Sequence, residues 1–355
     1  MKKIRVMIID DSALMRQIIN KLISKDPEIE VIASISNAVY ALNMINRLKP
    51  DLVTLDIEMP EMDGLTALTE LRKTHPTLPV IMCSTLSLKG AEVTIEALER
   101  GANDYVTKPT SQSSRQESFE SMGTELRCKI HGLMKQYVSP ASSLVKKEMP
   151  RGLTANPLTG PIDIVAIGIS TGGPNALSTL IPKFPADFPV PILIVQHMPA
   201  LFTRMLAESL DKKSAINVKE AVDGDVLKPG YVWIAPGNFH MTLAKGHFNY
   251  IVRLNQEAPE NSCRPSVDVL FNSVAQHFKS HALAVVMTGM GQDGLLGCKS
   301  IKESGGRVFI QDEESSVVWG MPGAVAKANL EDEIYSLDAI DKAIIKSINQ
   351  FRVSK

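Results

Sequence analysis

Short apolar runs alternate with amphipathic stretches throughout the first 108 residues, and this alternation constrains the fold more than any other feature of the chain. The runs RVMIID, VIASI, LVTL, PVIMCS and DYVT are typical of buried strands. Between the first two, Leu14, Ile18 and Leu22 mark one face of a predicted helix. Strands separated by helices form parallel sheets, so this region is predicted to be a five-stranded, doubly wound α/β domain.

The same alternation returns after residue 161, where the strand candidates include IDIVAIGI, PILIVQ and ALAVVMT. The stretch WIAPGNFHMTLAKGHFNYIVRL indicates a β-hairpin inserted into a second doubly wound, mainly parallel α/β domain. Between the domains a helix is predicted around Phe119 to Tyr137, and prolines and polar residues then replace the apolar pattern. We therefore expect a first domain over residues 1–125, a linker over 126–160 and a second domain over 161–350.

The composition excludes several classes of protein. Among 355 residues the formal net charge is −1, and no Lys/Arg-rich run exceeds a dipeptide, which argues against a nucleic-acid partner. No apolar stretch approaches the ~20 residues of a membrane-spanning helix, so no membrane insertion is expected. The four cysteines are scattered without a C-x-x-C pair, as expected for reduced thiols in a cytoplasmic protein.

Polar side chains stand at the ends of four predicted strands of the first domain. Asp10 and Asp11 follow the first strand, Asp56 ends the third, Ser84 ends the fourth and Lys108 follows the fifth. The carboxyl ends of parallel strands meet at one edge of a sheet, and neighbouring carboxylates there are stabilised by a cation such as Mg²⁺. Each aspartate alone could cap a helix or begin a turn, but together the five residues predict a cation site.

The motifs IIDDSALMR, LDIEMPEMDG, CST and VTKP resemble the receiver domain of bacterial response regulators over essentially the whole first domain. The resemblance implies a flavodoxin-like fold in which a histidine kinase phosphorylates Asp56. It further implies that Mg²⁺ is held by Asp10, Asp11, Asp56 and the backbone of Glu58, that Lys108 and Ser84 contact the phosphoryl group, and that Tyr105 is the switch aromatic. Such a transfer depends on positioning and electrostatics.

A glycine-rich turn, GISTGGP, follows the first strand of the second domain and places Ser170 just before a helix. The pattern G-x-S-x-G is that of a nucleophile elbow, although Ser170 or Thr171 could instead cap the helix, or the glycines could hold a phosphate. A nucleophile needs a base and an orienting acid. His197 in ILIVQHMP and Asp293 in GMGQDG also follow strands, so the three residues are predicted to form a triad at one sheet edge.

The chain order Ser, His, Asp differs from the Ser, Asp/Glu, His order of α/β-hydrolases, which argues against an ordinary lipase or esterase. GMGQDG also matches the G-x-G-x-x-G dinucleotide fingerprint, and Asp312 lies about 20 residues further on, where a ribose partner is expected. That alternative leaves Ser170 and His197 without a role. In a hydrolase, the same loop supplies Asp293 and a backbone N–H near Met290 for an oxyanion.

Six motifs in order, IGISTGGP, VQHMP, IAPGNFHM, CRPSVDVLF, TGMGQDG and QDEESSVVWGMPG, resemble the catalytic domain of chemotaxis protein-glutamate methylesterases. The resemblance implies that Ser170 is the nucleophile, His197 the general base and Asp293 its orienting partner. Met290 and Thr171 would form the oxyanion hole, and no metal would be needed for the ester chemistry. The implied reactions are demethylation of glutamate methyl esters on chemoreceptors and deamidation of receptor glutamines.

The resemblance also implies regulation, because phosphorylation at Asp56 would open an active-site edge that the unphosphorylated receiver blocks. Two other functions stay open at this point. A DNA-binding response regulator would share the first domain, but its output domain should be basic and contain a helix-turn-helix. A catalytically silent scaffold is also compatible with the sequence, and replacement of Ser170 distinguishes it from an enzyme.

Overall fold

The computed structural model describes residues 3–109, 115–138 and 160–350, and the chain divides into two compact units, Met1–Ser139 and Pro140–Lys355. No helix among these residues is long and apolar enough to cross a membrane. Each unit contains a parallel sheet with helices, which confirms the predicted fold class.

The sheet of the first unit consists of β1 (Ile4–Ile9), β2 (Ile29–Ile35), β3 (Leu52–Asp56), β4 (Val80–Ser84) and β5 (Asp104–Thr107). All strand pairs are parallel, and the order is β2-β1-β3-β4-β5. This is the flavodoxin-like order, in which the strand sequence reverses between β1 and β3. Every residue of β3 and β4 is buried, as expected for central strands that are covered on both faces.

The helices of the first unit are α1 (Ala13–Ile23), α2 (Ala38–Leu48), α3 (Gly64–Thr74), α4 (Leu88–Glu99) and α5 (Arg115–Val138). The face predicted for α1 is wrong at its start, because Leu14 is 65% exposed while Ile19, Leu22 and Ile23 are buried. At about 100° per residue, Leu14 lies about 140° around the helix from Ile19 and so faces away from the core.

Helix α5 confirms the helix predicted around Phe119 to Tyr137. Its buried apolar face includes Met122, Leu126, Ile130 and Leu133, and it packs against α1. The boundary predicted between residues 125 and 126 falls inside this continuous helix, so the first part of the predicted linker is helical. The rest of that linker, up to residue 159, lies outside the described residues, and the three-part division stays a prediction.

The strands of the second unit are β6 (Ile164–Ile169), β7 (Ile192–Gln196), β8 (Asn217–Glu220), β9 (Tyr231–Ile234), β10 (His240–Lys245), β11 (Tyr250–Asn255), β12 (Ala282–Val286), β13 (Arg307–Gln311) and β14 (Glu333–Tyr335). All but β10 and β11 form one parallel sheet in the order β14-β13-β12-β6-β7-β9-β8. The edge strands β8 and β14 were not predicted, because NVKE and EIY are too short and too polar to stand out.

The helices of this unit are α6 (Gly173–Leu180), α7 (Ala200–Lys213), α8 (Val267–Phe278), α9 (Leu295–Glu303), α10 (Met321–Lys327) and α11 (Ile340–Asn349). Strands β10 and β11 pair antiparallel, which confirms the predicted hairpin. The hairpin packs on α8, where the Leu243 N–H donates to Ser273 Oγ at 2.8 Å and Met241 shares a core with Leu270.

Strand β6 lies at the centre of the second sheet, with β7 on one side and β12 on the other. The strand order therefore changes direction at β6, and ligands of open α/β sheets bind at such a switch point, outside the carboxyl ends of the strands. Ser170 follows β6, His197 follows β7, and Asp293 lies in the loop between β12 and α9. The fold thus brings the three predicted loops to one edge.

Candidate active site

Asp10, Asp56 and Lys108 meet at the carboxyl edge of the first sheet. Lys108 Nζ lies 2.8 Å from Asp10 Oδ2 and 2.7 Å from Asp56 Oδ1. Burial raises the pKa of Asp56 to about 6, and the neighbouring Lys108 only partly offsets this effect. Burial also opposes the charge of Lys108, but the two carboxylates raise its pKa above the ordinary value. Asp56 is therefore a buried carboxylate whose charge a further cation would stabilise.

The acidic residues of this edge fit a magnesium ion. Asp10, Asp11 and Asp56 each offer one carboxylate oxygen, and these oxygens lie within 4.8 Å of one another. Mg²⁺ prefers such oxygen ligands and keeps several waters. Glu58 follows β3 with an exposed side chain.

Ser84 and Tyr105, the predicted phosphoryl-sensing residues, are held by other contacts. Thr94 Oγ1 donates to Ser84 Oγ at 2.7 Å, and Ser84 Oγ donates to the Gly90 carbonyl at 3.1 Å. Tyr105 is buried, with Lys129 Nζ 4.9 Å from the centre of its ring. Thr94 was not predicted to contact Ser84. Its position, a polar residue on the buried apolar face of α4, was the feature of the sequence that could have indicated it.

Ser170 lies in the tight turn between β6 and α6. Its N–H donates to the Thr288 carbonyl at 2.9 Å, and its own carbonyl accepts from Gln196 Nε2 at 3.0 Å. Helix α6 begins after Gly172, whose φ of 74° lies in the left-handed region that favours glycine, and no side chain caps this helix. The alternative that Ser170 or Thr171 serves as the helix cap is therefore wrong.

Asp293 is buried and pairs with the partly exposed His197, with Nε2 and Oδ2 2.8 Å apart. Burial disfavours the imidazolium, but the contacts with Asp293 and Cys263 raise the pKa of His197 to about 9. Burial likewise disfavours the carboxylate, yet the His197 hydrogen bond and charge and the Val267 N–H lower the pKa of Asp293 to about 2. The proton shared by the pair therefore resides on the imidazole.

The Asp293 carboxylate also caps helix α8. Its Oδ2 accepts from the Val267 N–H at 2.7 Å, and its Oδ1 accepts from Asn261 Nδ2, Ser266 Oγ, Asp268 N and Gly294 N at 3.0, 2.8, 3.1 and 3.1 Å. A helix N-terminus favours negative charge, which adds to the low pKa. Neither Asn261 nor Ser266 was predicted. Ser266 lies in the motif CRPSVDVLF at the start of a predicted helix, whereas Asn261 precedes that motif.

Ser170 makes no hydrogen bond to His197 in the described part of the chain. The Nδ1 atom of His197 instead has Cys263 Sγ at 3.6 Å. Because Nε2 is engaged by Asp293, Nδ1 is the ring nitrogen left for a nucleophile, and catalytic hydrogen bonds are often long before substrate binds. Cys263 was not predicted to lie in the site.

Two backbone amides beside Ser170 are open. Within residues 3–109, 115–138 and 160–350, the N–H groups of Thr171 and Met290 donate to no protein acceptor. Gly289, the neighbour of Met290, packs so closely that an added Cβ would lie 2.9 Å from Ser170 Cβ. Open amides next to a nucleophile are suited to bind an oxyanion.

The loop GMGQDG follows β12 and precedes α9, as a dinucleotide fingerprint would, but its groups are used in other ways. Asp293 binds His197, and Gly289 is packed against Ser170 and Met321. Asp312, the ribose partner in that alternative, accepts from the N–H and Oγ of Ser315. These contacts favour the hydrolase interpretation.

Comparison with known proteins identifies the family to which the chain belongs. Residues 165–344 match the family described as CheB methylesterase, and residues 6–119 match the response regulator receiver domain. The protein-glutamate methylesterase/protein-glutamine glutaminase of Trichodesmium erythraeum (strain IMS101) is 48% identical over 351 residues, which cover 98% of this chain and 100% of that protein. The protein of the same name from Maricaulis maris (strain MCS10) is 42% identical, with 96% and 95% covered.

Among solved structures, the Thermotoga maritima CheB methylesterase catalytic domain is 42% identical with a TM-score of 0.52, and the match covers 53% of this chain and 99% of that one. The family match and the full-length relatives include both units of the chain. The chain therefore belongs to the CheB methylesterase family and carries a response regulator receiver domain before its methylesterase domain.

Proposed function

We propose that the second unit hydrolyses glutamate γ-methyl esters on chemoreceptors to glutamate and methanol, and deamidates receptor glutamines by the same route. The observation that carries the proposal is the His197–Asp293 pair, 2.8 Å apart, at the sheet edge that also holds Ser170. The relatives from T. erythraeum and M. maris, named protein-glutamate methylesterase/protein-glutamine glutaminase, indicate the substrate class. Such an enzyme serves chemotaxis adaptation in the cytoplasm.

In the proposed first step, Ser170 Oγ attacks the ester carbonyl carbon while His197 Nδ1 takes the hydroxyl proton. The oxyanion of the tetrahedral intermediate binds the N–H groups of Thr171 and Met290. The intermediate collapses as His197 returns the proton to the departing methoxide oxygen. Methanol leaves, and an ester between the glutamate side chain and Ser170 remains.

In the second step, water attacks this acyl-enzyme with His197 again as the base, which releases the glutamate carboxylate and restores Ser170. Asp293 stays ionised throughout, because its pKa of about 2 is far below that of the imidazole. The Cys263 thiol is a weak hydrogen-bond donor, so the Ser170 hydroxyl replaces it at Nδ1 at small cost. A glutamine substrate follows the same route and releases ammonia, and neither reaction requires a metal.

The proposal includes phosphorylation of Asp56 by a chemotaxis histidine kinase. Mg²⁺ would be held by Asp10, Asp11, Asp56 and the backbone carbonyl of Glu58, and it supplies positive charge that offsets the approach of a phosphoryl anion. Lys108, already paired with Asp56 at 2.7 Å, supports this assignment because it can pair with a phosphoryl oxygen.

Phosphorylation then draws Ser84 toward the phosphoryl group, with Tyr105 as the switch aromatic. That movement would break the hydrogen bonds of Ser84 to Thr94 and Gly90, so α4 is the element that we expect to respond. The response raises the rate of ester hydrolysis by favouring an active state. Full conversion from 1:99 to 99:1 would require about 5.5 kcal/mol, so we expect partial activation.

Methanol release from methylated receptor membranes tests the proposal, with and without acetyl phosphate and Mg²⁺. We expect Ser170→Ala to abolish release, while Ser300→Ala, a change on α9 outside the site, leaves it at the wild-type rate. The phosphodonor should stimulate wild type but not Asp56→Ala. Failure of wild type to release methanol under any condition would overturn the esterase proposal, and equal stimulation of Asp56→Ala would overturn the phosphorylation site.

A further inference from the structure

The thiol of Cys263 lies against the catalytic histidine but takes no part in the hydrolysis proposed above. Its Sγ is 3.6 Å from His197 Nδ1, and both side chains are partly exposed. His197, Cys263 and Asp293 form one of three groups of potential metal ligands within the described residues, and the other two groups contain no thiol. An imidazole and a thiolate together are typical ligands of Zn²⁺, whereas Mg²⁺ prefers oxygen.

The separation of Sγ and Nδ1 matches that of two ligands on one tetrahedral zinc ion. With Zn–S near 2.3 Å and Zn–N near 2.05 Å, the tetrahedral angle sets the two ligand atoms about 3.5–3.6 Å apart. The side chains of Cys263 and His197 already have this separation, 3.6 Å. A zinc ion therefore needs to displace the thiol proton and, where the imidazole is protonated, the proton on Nδ1.

The second nitrogen of the same ring has the surroundings that zinc-bound histidines usually have. Nε2 lies 2.8 Å from Asp293 Oδ2, which also accepts the Val267 N–H at 2.7 Å. A carboxylate that accepts the ring N–H fixes the tautomer of the neutral imidazole and leaves its lone pair on Nδ1, facing Cys263. The other oxygen of Asp293 accepts four further hydrogen bonds, so Asp293 supports the ligand instead of coordinating the metal.

We propose that His197 and Cys263 form a Zn²⁺ site that inhibits the esterase. Zn²⁺ binds His197 Nδ1 and the Cys263 thiolate, water occupies the remaining positions, and the thiol proton and any proton on Nδ1 pass to solvent. Inhibition follows because Nδ1 is the nitrogen that must take the proton of Ser170, and this consequence rests on the proposed function. Binding itself does not depend on that function.

Cobalt(II), a spectroscopic substitute for zinc, tests the binding without any measurement of activity. The full-length wild type titrated with Co²⁺ should develop a near-ultraviolet thiolate-to-cobalt charge-transfer band, which excess Zn²⁺ removes. Cys128→Ser, the matched cysteine control in α5, should keep the band, whereas Cys263→Ser and Cys263→Ala should lose it. Absence of the band in wild type, or its persistence in both Cys263 variants, would overturn the site.

Methanol release measured at increasing Zn²⁺ tests the inhibition, with each variant compared with its own metal-free rate. We expect Zn²⁺ to inhibit wild type and Cys128→Ser, EDTA to restore the rate, and Cys263→Ser to need at least about 10-fold more Zn²⁺ for half-inhibition. Equal sensitivity of all three proteins would overturn the inhibitory role. A preparation without metal-free activity would instead count against the proposed function, and the cobalt titration would still decide the site.

Discussion

Replacement of Asp293 by asparagine tests the hydrogen-bond pattern on which the proposed triad depends. The substitution turns one carboxylate oxygen into an NH₂ group, which cannot accept a hydrogen bond. Oδ1 accepts from four donors, whereas Oδ2 accepts from two, the Val267 N–H and His197 Nε2. The amide nitrogen should therefore take the Oδ2 position, because fewer hydrogen-bond donors lose their acceptor there.

In that orientation the asparagine donates to His197 Nε2, so the ring proton moves to Nδ1. A protonated Nδ1 cannot take the proton of Ser170, and we expect kcat to fall about 10⁴-fold, as in other triads with the wrong histidine tautomer. The buried Val267 N–H also loses its acceptor, which should cost about 1–3 kcal/mol of unfolding free energy.

Asp268→Asn is the matched control for this experiment. Asp268 is also buried, and its carboxylate accepts from Asn261 Nδ2 at 2.9 Å and from the Gly297 N–H at 2.7 Å. It makes no hydrogen bond to His197 among the described residues, so the histidine tautomer should persist and kcat should stay within about tenfold of wild type, a difference of about 1.4 kcal/mol.

Methanol release gives kcat for both variants, and thermal denaturation followed by circular dichroism reports their stability. The reasoning is refuted if Asp293→Asn retains kcat within tenfold of wild type, or if the two variants lose activity equally at equal stability.

The raised pKa of His197 predicts a pH–rate profile in which kcat/KM increases with pH up to about 9, because only the neutral imidazole is a base; a plateau already reached at pH 7 would contradict this. Gly289→Ala places a Cβ 2.9 Å from Ser170 Cβ and 2.4 Å from Met321 Sδ. We therefore expect the free energy of unfolding, measured in urea, to fall by about 1–3 kcal/mol and kcat to fall as well. Unchanged values of both would contradict this packing. The pKa of Asp56 is raised to about 6 in the folded protein. The contribution of Asp56 to the free energy of unfolding is therefore fully present below about pH 4, and it falls by about 3 kcal/mol as pH rises through 6. Chemical denaturation of the protein between pH 4 and 7 should show this decrease for the transition of the first unit, and Asp56→Asn should flatten it; identical pH dependence in both proteins would exclude Asp56 as the cause.

Sequence alone predicts the central strands and the residues at their ends. Strands such as β3 and β6 consist of buried, mostly apolar residues, and the geometry of parallel sheets then brings Asp10 to Asp56 and His197 to Asp293. The pairing of His197 with Asp293 follows from this rule although 96 positions separate the two residues.

The contacts that orient these side chains could not be predicted in the same way. Asn261 and Cys263 lie in an irregular segment, and Asn261 has a positive φ of 52°, so no periodic pattern indicates where their side chains lie. The sequence predicts that Ser84 ends β4, as it does in the structure, but it does not predict the hydrogen bonds of its hydroxyl to Thr94 and Gly90. Those partners depend on how α4 packs.

The ionisation of His197 and Asp293 explains why a residue far from Ser170 in the chain matters to its chemistry. Six donors surround the Asp293 carboxylate, two of them backbone N–H groups at the start of α8, and they stabilise its charge although the side chain is only 2% exposed. Two titratable groups whose surroundings move their pKa values to about 2 and about 9 have distinct roles in proton transfer. The carboxylate stays ionised while the imidazole gains and loses the proton, so the segment 261–268 acts on Ser170 through the tautomer of His197.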